Sequence, residues 1–544
     1  MADSRKAGNA VMSRFLSALV LIAGTTGAGH AQEAGHPALP TGQALFVGAD
    51  QCIACHSNIS APSGEDISIG YAWRASMMAN AARDPYWHAG VRREAMDHPQ
   101  ARAAIEDKCS TCHMPMARYH AASSGGQGVV FANVGEPLAM DGVSCTVCHQ
   151  IRDDNFGEPA SFDGGFVIDT ALPAGERHIF GPHEVDSGRR ALMQSAGEFL
   201  PMRGDHLQAS EMCATCHTLY THALTETGAD AGMLAEQVPY PEWRHSEYRT
   251  TQSCQSCHMP ELVQDAPITS VLGIPRPKFS QHIFRGGNAF MLRILSSYRA
   301  ELGVSALPQE LDGTIQRTLE FLGTDTARVM IDSARASAES LEFAVSVQSL
   351  AGHKLPTAYP SRRVWLHVTV RDAGGSIVFE SGAARPDGSI IGNDNDVDGM
   401  RFEPHYDRIE GPEQVQIYEP VMVDGAGRVT TGLLYGVRYV KDNRILPRGF
   451  DKSTAPWDVA VRGAALDDET FAAGGDRIHY VVTTGDARRP FAVTAELNYQ
   501  TIGFRWAENL KAYDAFETRR FVSYYEATAA HSAVRLASAT LHMP

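Results

Sequence analysis

The chain has 544 residues, 44% of them hydrophobic, and its 63 acidic residues outnumber its 47 lysines and arginines to give a formal charge of −16. This length suggests about two to four domains and allows a sizeable buried core. The acidic balance argues against a nucleic-acid partner, and favours soluble partners that carry a basic docking patch.

The first 31 residues have the three parts of a secretory signal peptide. Arg5, Lys6 and Arg14 supply a basic start, residues 15–23 form a short apolar run, and residues 29–31 offer small side chains for cleavage. A membrane anchor needs about twenty apolar residues, which is far more than this run provides. We therefore predict a signal peptide over residues 1–31, export to the periplasm or beyond the cell, and no transmembrane segment.

A five-residue motif, C-x-x-C-H, occurs five times and contains all ten cysteines of the chain. It is the attachment sequence of a c-type haem, in which both thiols form thioethers and the histidine binds the iron. Two residues between the cysteines let both thiols reach one edge of the macrocycle. The motif residues are Cys52, Cys55 and His56; Cys109, Cys112 and His113; Cys145, Cys148 and His149; Cys213, Cys216 and His217; and Cys254, Cys257 and His258.

Other uses of paired cysteines fit the sequence less well. A disulfide framework does not require a histidine after every pair, structural zinc sites combine C-x-x-C pairs in even numbers, and a thioredoxin-like site accompanies a βαβ pattern. The sequence therefore predicts five covalently bound haems c, each with its iron held by a proximal histidine. This cofactor agrees with export, because c-type haem is attached outside the bacterial cytoplasmic membrane.

The residues on the distal side of each iron decide the function. A haem with two protein ligands transfers electrons, whereas an open sixth position can bind a small molecule. We predict His183, in a tight Gly-Pro turn, His206, just before the fourth motif, and His282, whose following glycines permit close approach to a flat ring, as distal ligands. His353 is the fourth predicted ligand. The fifth distal ligand is undecided. Met78 is one candidate, and the alternative is that Met77 and Met78 only pack in the core. Further candidates are His98, His120, His222 and His245.

Two regions of different composition follow one another along the chain, and they predict an α+β protein. Residues 32–325 form a helical, loop-rich pentahaem domain, with helices over 42–50, 92–108, 187–198, 289–302 and 314–322, a hairpin within 157–180 and an extended linker over 267–277. From residue 328 cysteine disappears and period-two alternation begins, which predicts an antiparallel β-sandwich over 328–544. Its predicted strands are 341–347, 364–370, 376–379, 414–418, 478–484, 491–499 and 520–525. Because His353 lies in this second region, we expect the sandwich to contribute one distal haem ligand.

The chain resembles the cytochrome c554 family of multihaem cytochromes. The five motifs carry this resemblance, together with the C-H-M-P extensions of the second and fifth motifs and the stretch from Trp73 to Met78, which follows a W-x-x-S-x-H pattern with Met78 in place of histidine. Residues 352–363 and the tail are similar to the β-sandwich extension of larger bacterial members. The resemblance implies periplasmic electron transfer through close-packed haem pairs, with His56, His113, His149, His217 and His258 as proximal ligands.

Three functions compete at this point. The first is a multihaem cytochrome that carries single electrons between redox proteins. The second is a haem-dependent reductase or oxidase of a small nitrogen or sulfur compound such as nitrite or hydroxylamine, although pentahaem nitrite reductases have lysine in one motif and here every motif ends in histidine. The third function is a docking role for the β-sandwich. The sequence shows no aromatic platform that would support this role. We expect an electron-transfer protein rather than a stand-alone enzyme.

Overall fold

Short helices dominate the first part of the chain and antiparallel sheets the second part in the computed structural model, which describes residues 44–544. This mixed α+β architecture confirms the predicted fold class. The predicted signal peptide lies outside the described residues. Within residues 44–544, no helix combines the length and the apolar composition that crossing a membrane requires.

The first part consists of short helices joined by loops and two-stranded ribbons. Its helices are α1 (Ala49–Ile53), α2 (Ile69–Arg74), α3 (Pro85–Asp97), α4 (Arg102–His113), α5 (Pro115–Ser123), α6 (Val130–Asn133), α7 (Pro137–Met140), α8 (Cys145–Cys148), α9 (Ser187–Gly197), α10 (Ser210–Ala214), α11 (Pro239–Arg244), α12 (Cys254–His258), α13 (Ala289–Ser297) and α14 (Pro308–Asp325). Its strands are β1 (Ile151–Arg152), β2 (Val167–Ile168), β3 (Arg177–Gly181), β4 (Phe199–Arg203), β5 (Leu219–Leu224), β6 (Asp230–Gln237), β7 (Ala266–Pro267) and β8 (Pro275–Arg276).

The second part is built on strands, with three helices between them. The strands are β9 (Ala327–Ala336), β10 (Ser340–Ser349), β11 (Arg363–Arg371), β12 (Ile377–Ser381), β13 (Arg408–Ile409), β14 (Ile417–Tyr418), β15 (Pro420–Val423), β16 (Val429–Thr430), β17 (Arg438–Asp442), β18 (Gly475–Thr483), β19 (Phe491–Gln500) and β20 (Ala533–Met543). The helices are α15 (Asp394–Val397), α16 (Phe504–Glu508) and α17 (Phe516–Thr528).

Two larger sheets share one hydrophobic core. The first has the strand order β13-β18-β10-β9, and the second the order β12-β11-β19-β20 with β14 also paired to β11. All these pairings are antiparallel except that of β13 with β18. Alternate side chains of the central strands, such as Phe343 of β10 and Leu366 of β11, belong to the same buried cluster. Alternation therefore buries one face of each sheet, as in a β-sandwich.

The predicted strand over residues 520–525 is wrong, because these residues lie within helix α17. The buried residues Phe521, Tyr524 and Tyr525 are spaced three and four apart, which is the helical period, whereas a strand would bury alternate residues. Helix α17 packs against α3 of the first part, where Arg92 donates to both carboxylate oxygens of Glu517 at 2.8 Å.

Two other segments differ from the sequence prediction. The helix predicted over residues 92–108 is split into α3 and α4 at His98 and Pro99, because a proline disfavours helical backbone in the residue before it. Residues 157–180 do not form a hairpin of their own. Strand β2 pairs instead with β1, and β3 runs parallel to β4, which lies beyond helix α9.

The two parts of the chain also share a core. Phe290 and Leu295 of α13 lie in one buried cluster with Phe521 and Tyr524 of α17. The predicted boundary near residues 325–328 therefore separates a helical part from a strand-rich part. Hydrophobic packing nevertheless continues across this boundary.

Burial of Glu236, in β6, makes stability depend on pH. The side chain is buried, and burial raises the pKa of its carboxyl from 4.5 to about 7, although Thr221 and Gln237 donate hydrogen bonds to it. Because the folded state holds this proton more tightly than the unfolded chain, the stability contributed by the protonated form is complete below about pH 4.5 and is lost as pH rises through 7.

We expect Glu236→Gln to raise the free energy of unfolding at pH 8 by up to about 3 kcal/mol and to change it little at pH 4. Denaturant unfolding of both proteins at the two pH values measures this difference. The same substitution at Glu342, whose side chain is exposed on β10, is the control. A gain that is equal at both pH values would contradict this explanation.

Candidate haem-binding site

Each C-x-x-C-H motif forms one turn of helix. The amide of the motif histidine donates to the carbonyl of the first cysteine, at 2.9 Å for His56, 3.0 Å for His149 and 2.9 Å for His217. In a helix, residues three and four positions apart lie on the same face. The turn therefore presents the two thiols and the imidazole of a motif to one side, as binding to a single macrocycle requires.

The motif imidazoles are oriented by backbone carbonyls. Four of them place Nδ1 within hydrogen-bond distance of a carbonyl oxygen, which fixes the Nδ1–H tautomer and leaves Nε2 free to bind a metal. The pairs are His56 with Ile268 at 2.7 Å, His113 with Ala81 at 3.1 Å, His149 with Phe180 at 2.6 Å and His258 with Arg285 at 2.6 Å.

Two predicted distal histidines lie opposite motif histidines. The ring centroids of His149 and His282 are 6.3 Å apart with their planes inclined by 12°, and His258 and His353 have the same separation and angle. Two imidazoles that bind one metal from opposite sides, each through a bond of about 2 Å, have centroids about 6 Å apart. Both pairs therefore have the spacing of two axial ligands.

The distal rings are oriented in the same manner as the proximal ones. Nδ1 of His282 lies 3.0 Å from the carbonyl oxygen of Ser280, and Nδ1 of His353 lies 2.9 Å from that of Lys354. All four rings consequently direct Nε2 away from these carbonyls, so the residues present fit a haem iron at the third and fifth motifs.

Burial keeps these imidazoles neutral. It lowers the pKa of His113, His217 and His258 to about 4 and that of His282 to about 3. Because only a neutral imidazole has a lone pair for a metal, ligands with a low pKa stay competent across the physiological pH range.

His217 differs from the other motif histidines. Burial lowers its pKa, and other residues leave more than a third of its surface uncovered, which is more than for the other motif histidines. Within residues 44–544 no carbonyl accepts a hydrogen bond from its Nδ1. No histidine ring opposes it there, which is equally true of His56 and His113. Its electrostatic neighbours include His258 and Arg362.

The other three predicted ligands occupy different surroundings. Nε2 of His206 lies 2.9 Å from the carbonyl oxygen of Ile151, so that nitrogen already has a partner. His183 is half-buried, and its pKa is lowered by burial and by the charges of Arg276 and Arg203.

Met78 is half-buried in a turn, and its carbonyl accepts from the amide of Val143, just before the third motif. Met77 packs instead against the cluster that contains Phe290. Among the five predicted distal ligands, His282 and His353 thus lie opposite motif histidines. His183, His206 and Met78 do not.

Thiols of different motifs are neighbours. The side chains of Cys52 and Cys145 are close enough to affect each other electrostatically, as are those of Cys112 and Cys216, those of Cys213 and Cys254, and those of Cys148 and Cys216. The attachment points of the first and third motifs therefore adjoin, as do those of the second and fourth and of the fourth and fifth.

Sequence reasoning missed a buried group of four charges beside His353. Lys354 Nζ lies 2.7 Å from the Asp442 carboxylate, and Arg444 bridges Asp442 and Glu242 with a distance of 2.8 Å to each. The Lys354 amide also donates to Glu242 at 3.1 Å. All four side chains are at most 5% exposed. This group of charges joins the loop that carries His353 to helix α11 and to the end of strand β17. In the sequence, only Lys354 lies next to His353, so the other members could not be recognised there.

Comparison with known proteins identifies a fold but no family. No family model and no curated protein matches the chain. A solved structure described as a penta-heme cytochrome c552 from Thermochromatium tepidum has a similar fold, with a TM-score of 0.52 and 14% sequence identity, covering 92% of this chain and 100% of that one. The fold of this chain is thus similar to that of a multihaem cytochrome c.

Proposed function

We propose that the protein is a periplasmic multihaem c-type cytochrome that carries single electrons between redox partners through five covalently bound haems. The observation that carries this proposal is the opposed pairing of His149 with His282 and of His258 with His353, at 6.3 Å in both cases. The similar fold of a penta-heme cytochrome supports it. The narrower assignment to the cytochrome c554 family, the signal peptide and the periplasmic location belong to the same proposal.

The chain's own residues have separate roles in this function. The motif cysteines would attach each haem and the motif histidines would bind its iron, while His282 and His353 would supply a second ligand to two of the irons. Haem c, when bound, supplies reversible one-electron chemistry. Backbone carbonyls that accept from Nδ1 orient the imidazoles and make them stronger ligands.

The thiol contacts support an order of attachment sites. The first motif adjoins the third, the third adjoins the fourth through Cys148 and Cys216, and the fourth adjoins both the second and the fifth. We infer a path that runs from the first motif through the third and fourth to the fifth, with the second as a branch at the fourth.

A second function, reduction or oxidation of a small nitrogen or sulfur compound, is favoured by one observation. Among the described residues, opposed histidine rings are found for His149 and His258 and not for His56, His113 or His217. An iron bound at one of these three motifs without a second protein ligand could bind a small molecule.

Spectroscopy of the purified protein separates the two functions. We expect a covalent haem content of five per chain and low-spin electron paramagnetic resonance signals from at least the third and fifth haems. Five low-spin haems that do not bind carbon monoxide would exclude the reductase. A stoichiometric high-spin haem that binds carbon monoxide would exclude a pure electron carrier.

A further inference from the structure

Arg362 lies in the loop that carries His353 and connects it to the loop that carries His282. Its Nη1 donates to the carbonyl of Thr357 at 3.0 Å, and its Nη2 donates to Oδ1 of Asn288 at 3.4 Å. Thr357 belongs to the His353 loop, and Asn288 ends the His282 loop, just before helix α13. The half-buried guanidinium is therefore held between the two loops that supply the opposed histidines.

The same guanidinium is close to imidazoles of two candidate haem sites. Burial, followed by nearby charges that include that of Arg362, lowers the pKa of His217 in the fourth motif and that of His353, which opposes His258 of the fifth motif. The charges that act most strongly on the cysteines of these two motifs do not include that of Arg362. Arg362 therefore lies beside the histidines of these sites rather than beside their attachment points.

No carboxylate in residues 44–544 pairs with Arg362. Glu242, which accepts a hydrogen bond from the Thr357 hydroxyl, is already paired with Arg444 at 2.8 Å. The buried group of four charges to which Glu242 belongs contains two cations and two anions, so it has no negative charge to spare. Of the five N–H donors of a guanidinium, Arg362 uses two on these described partners. A cation in this position requires an anion, because removing an unpaired charge from water is costly.

We propose that Arg362 binds a propionate carboxylate of the haem at the fourth or fifth motif. The inference rests on the proposed function, because it requires covalently bound haem. A haem c carries its propionates at the edge of the macrocycle opposite the thioethers, which agrees with a cation that acts on the histidines and not on the cysteines. A guanidinium binds a carboxylate through two parallel N–H···O hydrogen bonds. Arg362 would thus join both distal loops to the haem.

Redox titration and resonance Raman spectroscopy of the holoprotein test this contact. We expect Arg362→Gln to lower the equilibrium constant for reduction of one haem about tenfold, which corresponds to ~59 mV for one electron, because a nearby cation favours the reduced form. The Raman bands of the propionates should shift at the same time. Arg362→Lys keeps the charge but loses the planar fork, so it should retain most of the potential while the propionate bands still shift.

Two other arginines provide matched controls. Arg285 donates to the carbonyl of Cys257 at 2.8 Å and acts electrostatically on that cysteine, so Arg285→Gln removes a charge from the attachment side of the fifth site. It should lower the potential without shifting the propionate bands. Arg505 is half-buried in the second part of the chain, where it donates to the carbonyls of Asn395 and Asp396 at 2.8 and 2.7 Å. Arg505→Gln should change neither measurement.

Unchanged propionate bands in Arg362→Gln would overturn the proposal. A potential of the unaltered protein that shifts on addition of sodium acetate at constant ionic strength, but does not shift in Arg362→Gln, would also overturn it, because Arg362 would then hold an exchangeable anion. If Arg362→Gln does not accumulate with haem, the Raman spectrum of Arg362→Lys decides in the same way.

Covalent haem content is measured first for every variant. Absence of covalent haem in the unaltered protein would contradict the proposed function itself. Five haems per chain together with unshifted propionate bands in both Arg362 variants would remove only this contact.

Discussion

His353→Ala is expected to convert one low-spin haem to a high-spin form that binds carbon monoxide. The ring of His353 opposes that of His258 at 6.3 Å, and its removal would leave one axial position without a protein ligand. Electron paramagnetic resonance and carbon monoxide difference spectra measure the change. His282→Ala should have the same effect at the third motif, because the ring of His282 opposes that of His149 in the same geometry.

The control for these variants is His222→Ala. Its side chain is 64% exposed and pairs with Asp230 at 2.8 Å, so its loss should leave all spectra unchanged. His206→Ala is informative in addition, because Nε2 of His206 faces the carbonyl of Ile151. A high-spin signal in His206→Ala, or unchanged spectra in His353→Ala, would contradict the ligand assignment given above.

Asp442→Asn is expected to lower the free energy of unfolding by about 3–5 kcal/mol, because it removes one charge from a buried group and leaves its partners uncompensated. Burial alone would raise the pKa of the Asp442 carboxyl, but the charges of Arg444 and Lys354 hold it below its usual range. The carboxylate therefore contributes stability at all pH values above the unfolded pKa, and this contribution is lost only as pH falls through the lower folded value.

Denaturant unfolding at neutral pH measures this loss. Glu410→Gln is the control, since Glu410 forms an ion pair with Arg408 in which both side chains are more than half exposed, and such pairs contribute at most about 1 kcal/mol. Equal effects of the two substitutions would contradict the role assigned to the buried group. A high-spin signal in Asp442→Asn would additionally show that the group positions His353.

The parts of the site that local sequence determines could be predicted. A C-x-x-C-H motif is complete within one helical turn, so its local sequence is sufficient to identify it. The orienting carbonyls of Ile268, Phe180 and Arg285 could not be predicted, because any residue supplies a carbonyl and only the fold decides which one meets the imidazole. The charge group around Lys354 was missed for a similar reason, since its members come from three distant segments.

The strands of the sandwich were predictable where alternate apolar side chains enter the shared buried cluster. The predicted strand over residues 341–347 lies within β10 and that over 364–370 within β11. Residues 520–525 were predicted as a strand because their aromatic and β-branched side chains favour strands. They form a helix instead, because their buried residues have helical spacing and pack against α3. Strand β20 was missed because small and polar residues alternate with its few apolar ones.

The position of His353 constrains how the protein matures. The ring of His258, which belongs to the first part of the chain, is opposed by that of His353, in the loop between strands β10 and β11 of the sandwich. The chain emerges from the ribosome or the translocation channel with its amino end first. The fifth C-x-x-C-H motif therefore emerges before His353 does. On the proposed assignment of His353 as a ligand, haem attachment at that motif would precede the second ligand, and completion of the sandwich would supply it.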